Sequence, residues 1–201
     1  MSTSQPTRTE RKKFWTTTRI IFTCAVFALV AAFGLSSCSK TAKVNKPIAG
    51  IEMPASVLNA QLKDVDGAPL KLADYNGKVV IINMWATWCG PCRIETPELV
   101  ALSKEYKSRG VELIGLTTQS NDPSVDKIKD FLRANQVEYR TVYDDGSFAG
   151  QLTQLTRARS VIPQSFVVRD GYIIKHFEGF DPRSTPAKLR QAVEQAINDK
   201  G

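Results

Sequence analysis

The apolar positions of the chain fall into short continuous runs and into stripes of helical period, and the two alternate. Lys78–Trp85 (KVVIINMW) follows Asn76-Gly77 and is almost unbroken in apolar character, as is Val111–Thr117. Runs of this length with no polar alternation predict strands covered on both faces. Between them a helix is predicted from Gly90 to about Arg109, stopping before Gly110. Asp122 is read as a cap and Pro123 as the opening of a second helix, with Val125, Ile128 and Leu132 on one face. Arg140–Tyr143 is short and extended, and Asp144-Asp145-Gly146 turns it into a brief helix near Phe148–Leu155. Ser165–Val168 and Tyr172–Phe177 straddle Asp170-Gly171, a hairpin signal. Ser184 or Thr185 caps a last helix, Pro186 opens it, and Leu189, Val193, Ala196 and Ile197 face inward. Upstream, Val57–Leu62 and Leu70–Leu72 flank Asp64-Val65-Asp66-Gly67 and predict a small hairpin. The order is that of one α/β domain: a mixed central sheet with helices on both faces and an added N-terminal β-hairpin.

The first 52 residues do not follow that pattern. Arg8, Arg11, Lys12, Lys13 and Arg19 precede Ile20–Leu35, sixteen residues without a charge. A bilayer span takes about 20 apolar residues and the core of a signal peptide about 7–15, so length alone leaves both open. Leu35-Ser36-Ser37-Cys38 closes the run and resembles the lipobox of bacterial lipoproteins. That resemblance implies cleavage before Cys38 and lipid attachment at its thiol; an uncleaved signal anchor is the alternative. Either way the following domain is expected outside the cytoplasmic membrane. The expected organisation is a signal peptide over 1–38, a flexible tether over 39–52 and a folded domain over 53–201.

Charge changes the picture little once it is located. Of the 27 basic and 20 acidic side chains behind the net charge of +7, five and one lie in residues 1–37. The remaining 22 and 19 are nearly balanced, so nucleic-acid binding loses its main support. Four cysteines in 201 residues are too few for a disulfide scaffold. If Cys38 carries lipid and Cys24 leaves with the peptide, one pair remains.

That pair is Cys89 and Cys92 in Trp88-Cys89-Gly90-Pro91-Cys92, where a buried strand passes into a helix. Disulfide exchange needs a thiolate, and a free Cys with pKa near 8.5 supplies little of it at neutral pH. Unpaired N–H groups and the dipole at a helix N-terminus favour the anion. Cys89 stands at that end to attack, and Cys92, one turn on, reaches back to resolve the mixed disulfide. Pro91 fits the first turn, where a missing N–H costs nothing. Zinc would need about four ligands; beyond this pair the chain offers no second CxxC and a single His, His176.

Val79–Cys92 (VVIINMWATWCGPC) resembles the active site of the thioredoxin superfamily, and the surrounding residues resemble its membrane-tethered TlpA/ResA/CcmG branch. The resemblance spans about 145 residues and implies a thioredoxin-like fold. It implies a thiol–disulfide oxidoreductase without a bound cofactor, with electrons from a membrane thiol donor of the DsbD/CcdA type. Its substrates would be disulfide-containing exported proteins, apocytochrome c among them. Asn83 stands where cytoplasmic relatives bury an acid, either as a site residue or as a strand amide bonded to backbone. Cys92-x-x-Glu95-x-Pro97 matches the branch, whose acid tunes the thiols and moves protons; an exposed helix Glu is the alternative. Pro97 is expected to bend its helix. Val161-Ile162-Pro163 matches the cis-Pro loop, where the backbone of Ile162 would pair with substrate beside Trp88 and the disulfide. Two departures stand out: Gln164-Ser165 where the branch has Thr-Thr, and no Gly within Arg157-Ala158-Arg159-Ser160. Arg157 and Arg159 face an acidic substrate or water. Trp85 and Trp88 are expected to pack and shield, His176 to be bland. The chain is expected to act as a monomer. Three readings follow: a reductase, an oxidase or isomerase of the same fold, and a tethered peptide-binding module with a structural disulfide.

Overall fold

The computed structural model describes residues 49–199. Cys24, Cys38, the apolar run of 20–35 and most of the expected tether lie outside the described residues. Six strands form the central sheet in the order β1-β8-β7-β4-β5-β6. These are β1 Ile51–Glu52, β4 Val79–Met84, β5 Val111–Thr118, β6 Arg140–Asp144, β7 Gln164–Arg169 and β8 Tyr172–Glu178. β4 runs parallel to β5, and β5 to β6, while β7 is antiparallel to β4 and β8. Every residue of β4 is buried, as expected of a run that is apolar at every position but Asn83. The helices are α1 Ala55–Leu58, α2 Gly90–Tyr106, α3 Val125–Ala134, α4 Ser147–Thr156 and α5 Thr185–Asn198. The mixed sheet and the late hairpin are as the patterning predicts.

Alternate side chains of β4 feed two cores. Val79 and Ile81 pack with Leu99 and Leu102 of α2 and with Leu189 and Val193 of α5. Val80, Ile82 and Met84 pack with Phe148 and Leu152 of α4 and with Val57, Leu62 and Leu70 from the N-terminal segment. A third cluster, at the C-terminal end of β4, joins Trp85 and Ala86 to both cysteines and to Ile128 of α3.

Three boundaries differ from the sequence reading. The segment expected as the first hairpin strand begins as a helical turn, because the Pro54 carbonyl accepts from Val57 and Leu58 before the chain can extend. The hairpin itself is shorter: β2 Leu62–Lys63 against β3 Pro69–Leu70. Arg140 donates to Asp64 Oδ2 at 2.8 and 2.9 Å and to the carbonyls of Ala68 and Pro69, tying that hairpin to β6. Helix α3 starts at Val125 with Ser124 as its cap, not Asp122, and Pro123 stays outside it. Ile51 and Glu52, assigned to the end of the tether, instead pair with Ile173 and Tyr172 as an edge strand. Among the described residues no helix is long and apolar enough to cross a membrane.

Candidate active site

β4 delivers the chain to the end of the sheet, and Ala86-Thr87-Trp88 carries it to the N-terminus of α2. Cys89 is the N-cap of that helix, and Cys89 and Cys92 form a disulfide with Cα atoms 5.3 Å apart. The Cys92 N–H points at Cys89 Sγ at 3.3 Å, so the first turn aims an unpaired donor at the first sulfur. In the reduced state that donor and the helix dipole favour a thiolate at Cys89. Both cysteines are buried, and the exposed surface beside them is Trp88, Gly90 and Pro91.

Two contacts hold the approach to Cys89. The Asp122 carboxylate accepts from the Thr87 N–H at 2.7 Å, from the Thr87 hydroxyl, and from Thr117 at 3.3 Å. It is thereby taken up by the active-site loop, which is why it does not cap α3. Trp88 Nε1 donates to the Asn121 carbonyl at 2.8 Å, yet the ring is 63% exposed. Of the two tryptophans expected to pack and shield the site, Trp85 is buried and stacked at a tilt on Phe131, whereas Trp88 lies at the surface beside the cysteines. Gly115 makes room for Trp85, since a Cβ there would lie 3.0 Å from its Nε1 and 2.8 Å from Thr141 Oγ1.

Beneath the pair lies a closed polar triangle. Asn83 Nδ2 donates to Glu95 Oε2 at 2.9 Å and to Ser165 Oγ at 3.0 Å, and Ser165 donates to Glu95 Oε1 at 3.3 Å. Asn83 and Ser165 are direct partners across the β4–β7 ladder, and Glu95 comes down on them from α2. Glu95 is 2% exposed, which excludes the plain surface reading. Asn83 likewise is bonded to side chains, not to backbone. Burial pushes the Glu95 carboxyl up to about 7, against the pull of Asn83 and Ser165 toward the anion. A group titrating there can take or give a proton at neutral pH, and it sits one turn from Cys92 on the same helix. Pro97 is accommodated inside α2, just after Thr96, whose hydroxyl donates back to the Cys92 carbonyl at 2.8 Å.

The Ile162–Pro163 bond is cis, and Ile162 packs against the cluster containing both cysteines. The structure thus brings Cys89, Cys92, Trp88, Ile162 and Pro163 to one end of the sheet, with Glu95 underneath. Arg159 does not project free: its guanidinium and N–H bind Glu178 at 2.9 and 3.2 Å. Arg157 is exposed and ends α4 with φ of 53°, the left-handed conformation that usually calls for Gly. Sequence reasoning missed the roles of Asp122, Gln164 and Ser165. Only the departure at Gln164-Ser165 from the Thr-Thr of the resembled branch drew attention to two of those positions.

A family model described as Redoxin matches residues 48–193. The thiol-disulfide oxidoreductase ResA of Bacillus thuringiensis subsp. konkukian is 33% identical over 130 residues, 64% of this chain and 71% of that protein. ResA of Bacillus subtilis is 30% identical over 124 residues, 60% of this chain and 64% of that one. Among solved structures, a thiol:disulfide interchange protein of the thioredoxin family from Chlorobium tepidum is similar with a TM-score of 0.63 and 24% identity. It covers 74% of this chain and 97% of that chain. StoA of Bacillus subtilis has a TM-score of 0.52 and 24% identity, over 66% and 93%. These two likenesses bear on the fold, and they match the thioredoxin-like architecture expected from the sequence.

Proposed function

Since the chain belongs to the Redoxin family and is a thiol-disulfide oxidoreductase, we propose that it is anchored to a membrane outside the cytoplasm and reduces disulfides of exported proteins. The observation that carries the reading is the Cys89–Cys92 disulfide at the N-terminus of α2, with Ile162, the residue before Pro163, packed against the cluster that holds both cysteines. In the reduced protein, the Cys89 thiolate attacks a substrate disulfide, forming a mixed disulfide and expelling one substrate thiolate. Cys92 gives its proton to Glu95 and attacks Cys89 Sγ. The mixed bond breaks, the second substrate thiolate leaves, and two electrons have passed from the dithiol to the substrate. The two expelled thiolates take up two protons, one handed on by Glu95. Trp88, Ile162 and Pro163 seat the substrate chain.

The proposed organisation keeps residues 1–38 as a lipoprotein-type signal ending at Cys38, followed by a tether that runs into β1. Electrons would come from a membrane thiol donor of the DsbD/CcdA type, and apocytochrome c is a candidate substrate. Gly90-Pro91 between the cysteines resembles the reducing-type dipeptide of the thioredoxin superfamily, which supports the reducing direction.

Two measurements on the full chain test this. The first is the reduction potential, followed by the redox-dependent change in tryptophan fluorescence in graded thiol–disulfide buffers, which Trp85 and Trp88 beside the pair report; Trp15 is the third tryptophan of the full chain. A value below about −230 mV is expected, and one above about −150 mV would reverse the direction to an oxidant. The second is a Cys92→Ala variant, which should accumulate substrates as mixed disulfides through Cys89. If it traps none, and the pair shows no reversible transition, the disulfide is structural and the reading fails.

A further inference from the structure

The loop between α4 and β7 is held in shape by a side chain that the reaction does not use. Gln164, the first residue of β7, is completely buried. Its Nε2 donates to the carbonyls of Arg159 at 2.9 Å and Val161 at 2.6 Å. Carbonyls only accept, so the amide orientation is decided, and Gln164 Oε1 is left to accept from His176 Nε2 at 2.8 Å. His176 is itself placed by stacking on Phe166, with ring centroids 4.5 Å apart and planes 13° from parallel. Burial holds the His176 pKa below its usual value, and the neutral tautomer it needs and the protonated ring both carry Nε2–H. The link therefore persists whichever state the ring is in.

From outside, Glu178 holds the Arg159 N–H, and the Gly179 N–H donates to the Pro163 carbonyl at 2.8 Å. The carbonyls of Arg159, Val161 and Pro163 are all committed to the protein. Among the described residues, neither the N–H nor the C=O of Ile162 has a hydrogen-bond partner. An extended chain lying beside the disulfide meets that peptide unit as the free backbone rung.

We propose that Gln164 is a specificity-determining positioning residue: by drawing the Arg159 and Val161 carbonyls inward, it leaves the Ile162 backbone as the rung on which a polypeptide substrate pairs. The inference rests on the reading that this site exchanges disulfides with polypeptides. It makes the site select substrates with a peptide backbone next to the disulfide over small disulfides that lack one. Gln164 and His176 act through the loop and touch neither sulfur nor substrate.

The test compares two substrates on the reduced full chain: a disulfide-bonded peptide, and dithiobis(nitrobenzoate), which has no peptide backbone. Gln164→Met keeps length and volume but removes the hydrogen bonds. His176→Phe keeps the stack on Phe166 and removes the donor to Gln164. For Gln164→Met, KM for the peptide is expected to rise with kcat little changed. The loss in kcat/KM should exceed the loss of rate with the small disulfide by about tenfold, the effect of one or two hydrogen bonds. For His176→Phe the excess should be about threefold. Equal losses for both substrates, or an unchanged peptide KM, would overturn the inference. Should Gln164→Met fail to fold, the same ratio measured in His176→Phe decides. An unmodified chain that reduces neither substrate would instead sink the reading of the function.

Discussion

Asn83 of the central strand donates its side-chain amide to Glu95 of the cysteine-bearing helix at 2.9 Å, in a site closed to water. The contact sets what the helix carries beneath its disulfide. A buried carboxyl with only neutral donors around it is poised between its two states, whereas a cation in the same place would lock it as an anion.

The first prediction concerns that carboxyl. Glu95 titrates at about 7 in the folded protein against its ordinary 4.5. Between those values the native state holds a proton that the unfolded chain has released. Its contribution to stability is fully present below about 4.5 and is lost as pH rises through about 7, at about 1.4 kcal/mol per unit of pH across that window. Glu95→Gln removes this dependence, and Ser165 can turn its hydroxyl to accept from the new amide. Urea midpoints from pH 4 to 8 should show the difference between the two proteins sloping in favour of the variant toward high pH. Parallel curves would mean that Glu95 titrates in the folded protein as it does in the unfolded chain. The rate of exchange should also lose an inflection near pH 7.

Asp122 gives the second. Its carboxylate accepts from the Thr87 N–H and hydroxyl and from Thr117, two residues before Cys89 and on the neighbouring strand. Asp122→Ala leaves those donors without an acceptor, at a cost of about 2 kcal/mol. Exchange through Cys89 should slow as the loop loosens. Asp122→Asn keeps one carbonyl oxygen as acceptor and should lose less on both counts. Stability and rate unaffected in the alanine variant would show that the clamp does not hold the site.

The third concerns Arg157, an exposed residue with φ of 53° at the end of α4. Gly adopts that conformation without a Cβ penalty. Arg157→Gly is expected to gain about 0.5 to 1 kcal/mol, net of the extra freedom of Gly in the unfolded chain. The urea midpoint should rise with its slope unchanged. A fall would mean that the Arg157 side chain makes a contact worth more than the strain.

Much of this protein was legible in residues close together in the chain. Apolar period and turn residues marked the strands and helices, because each element repeats over a few positions. The disulfide chemistry lay in five consecutive residues at a strand-to-helix junction, and the loop ending in Pro163 in three more. Where local signals competed, they misled. Asp122-Pro123 has the pattern of a helix start, and only the nearness of Thr87 gives the carboxylate a better partner. His176 carries no motif, and its place is set by Phe166, on which it stacks, and by Gln164, to which it is hydrogen-bonded.

What the tertiary structure alone decided is the environment of the site. Asn83 and Ser165 stand 82 residues apart and Glu95 and Ser165 70 apart, and ladder register together with the seating of α2 brings them into one triangle. A residue type and a spacing determine that a thiol pair can react. Burial and the direction of each hydrogen bond determine at what pH its acid gives up a proton and which backbone group is left free to pair, because desolvation and hydrogen-bond geometry depend on every group packed around the site.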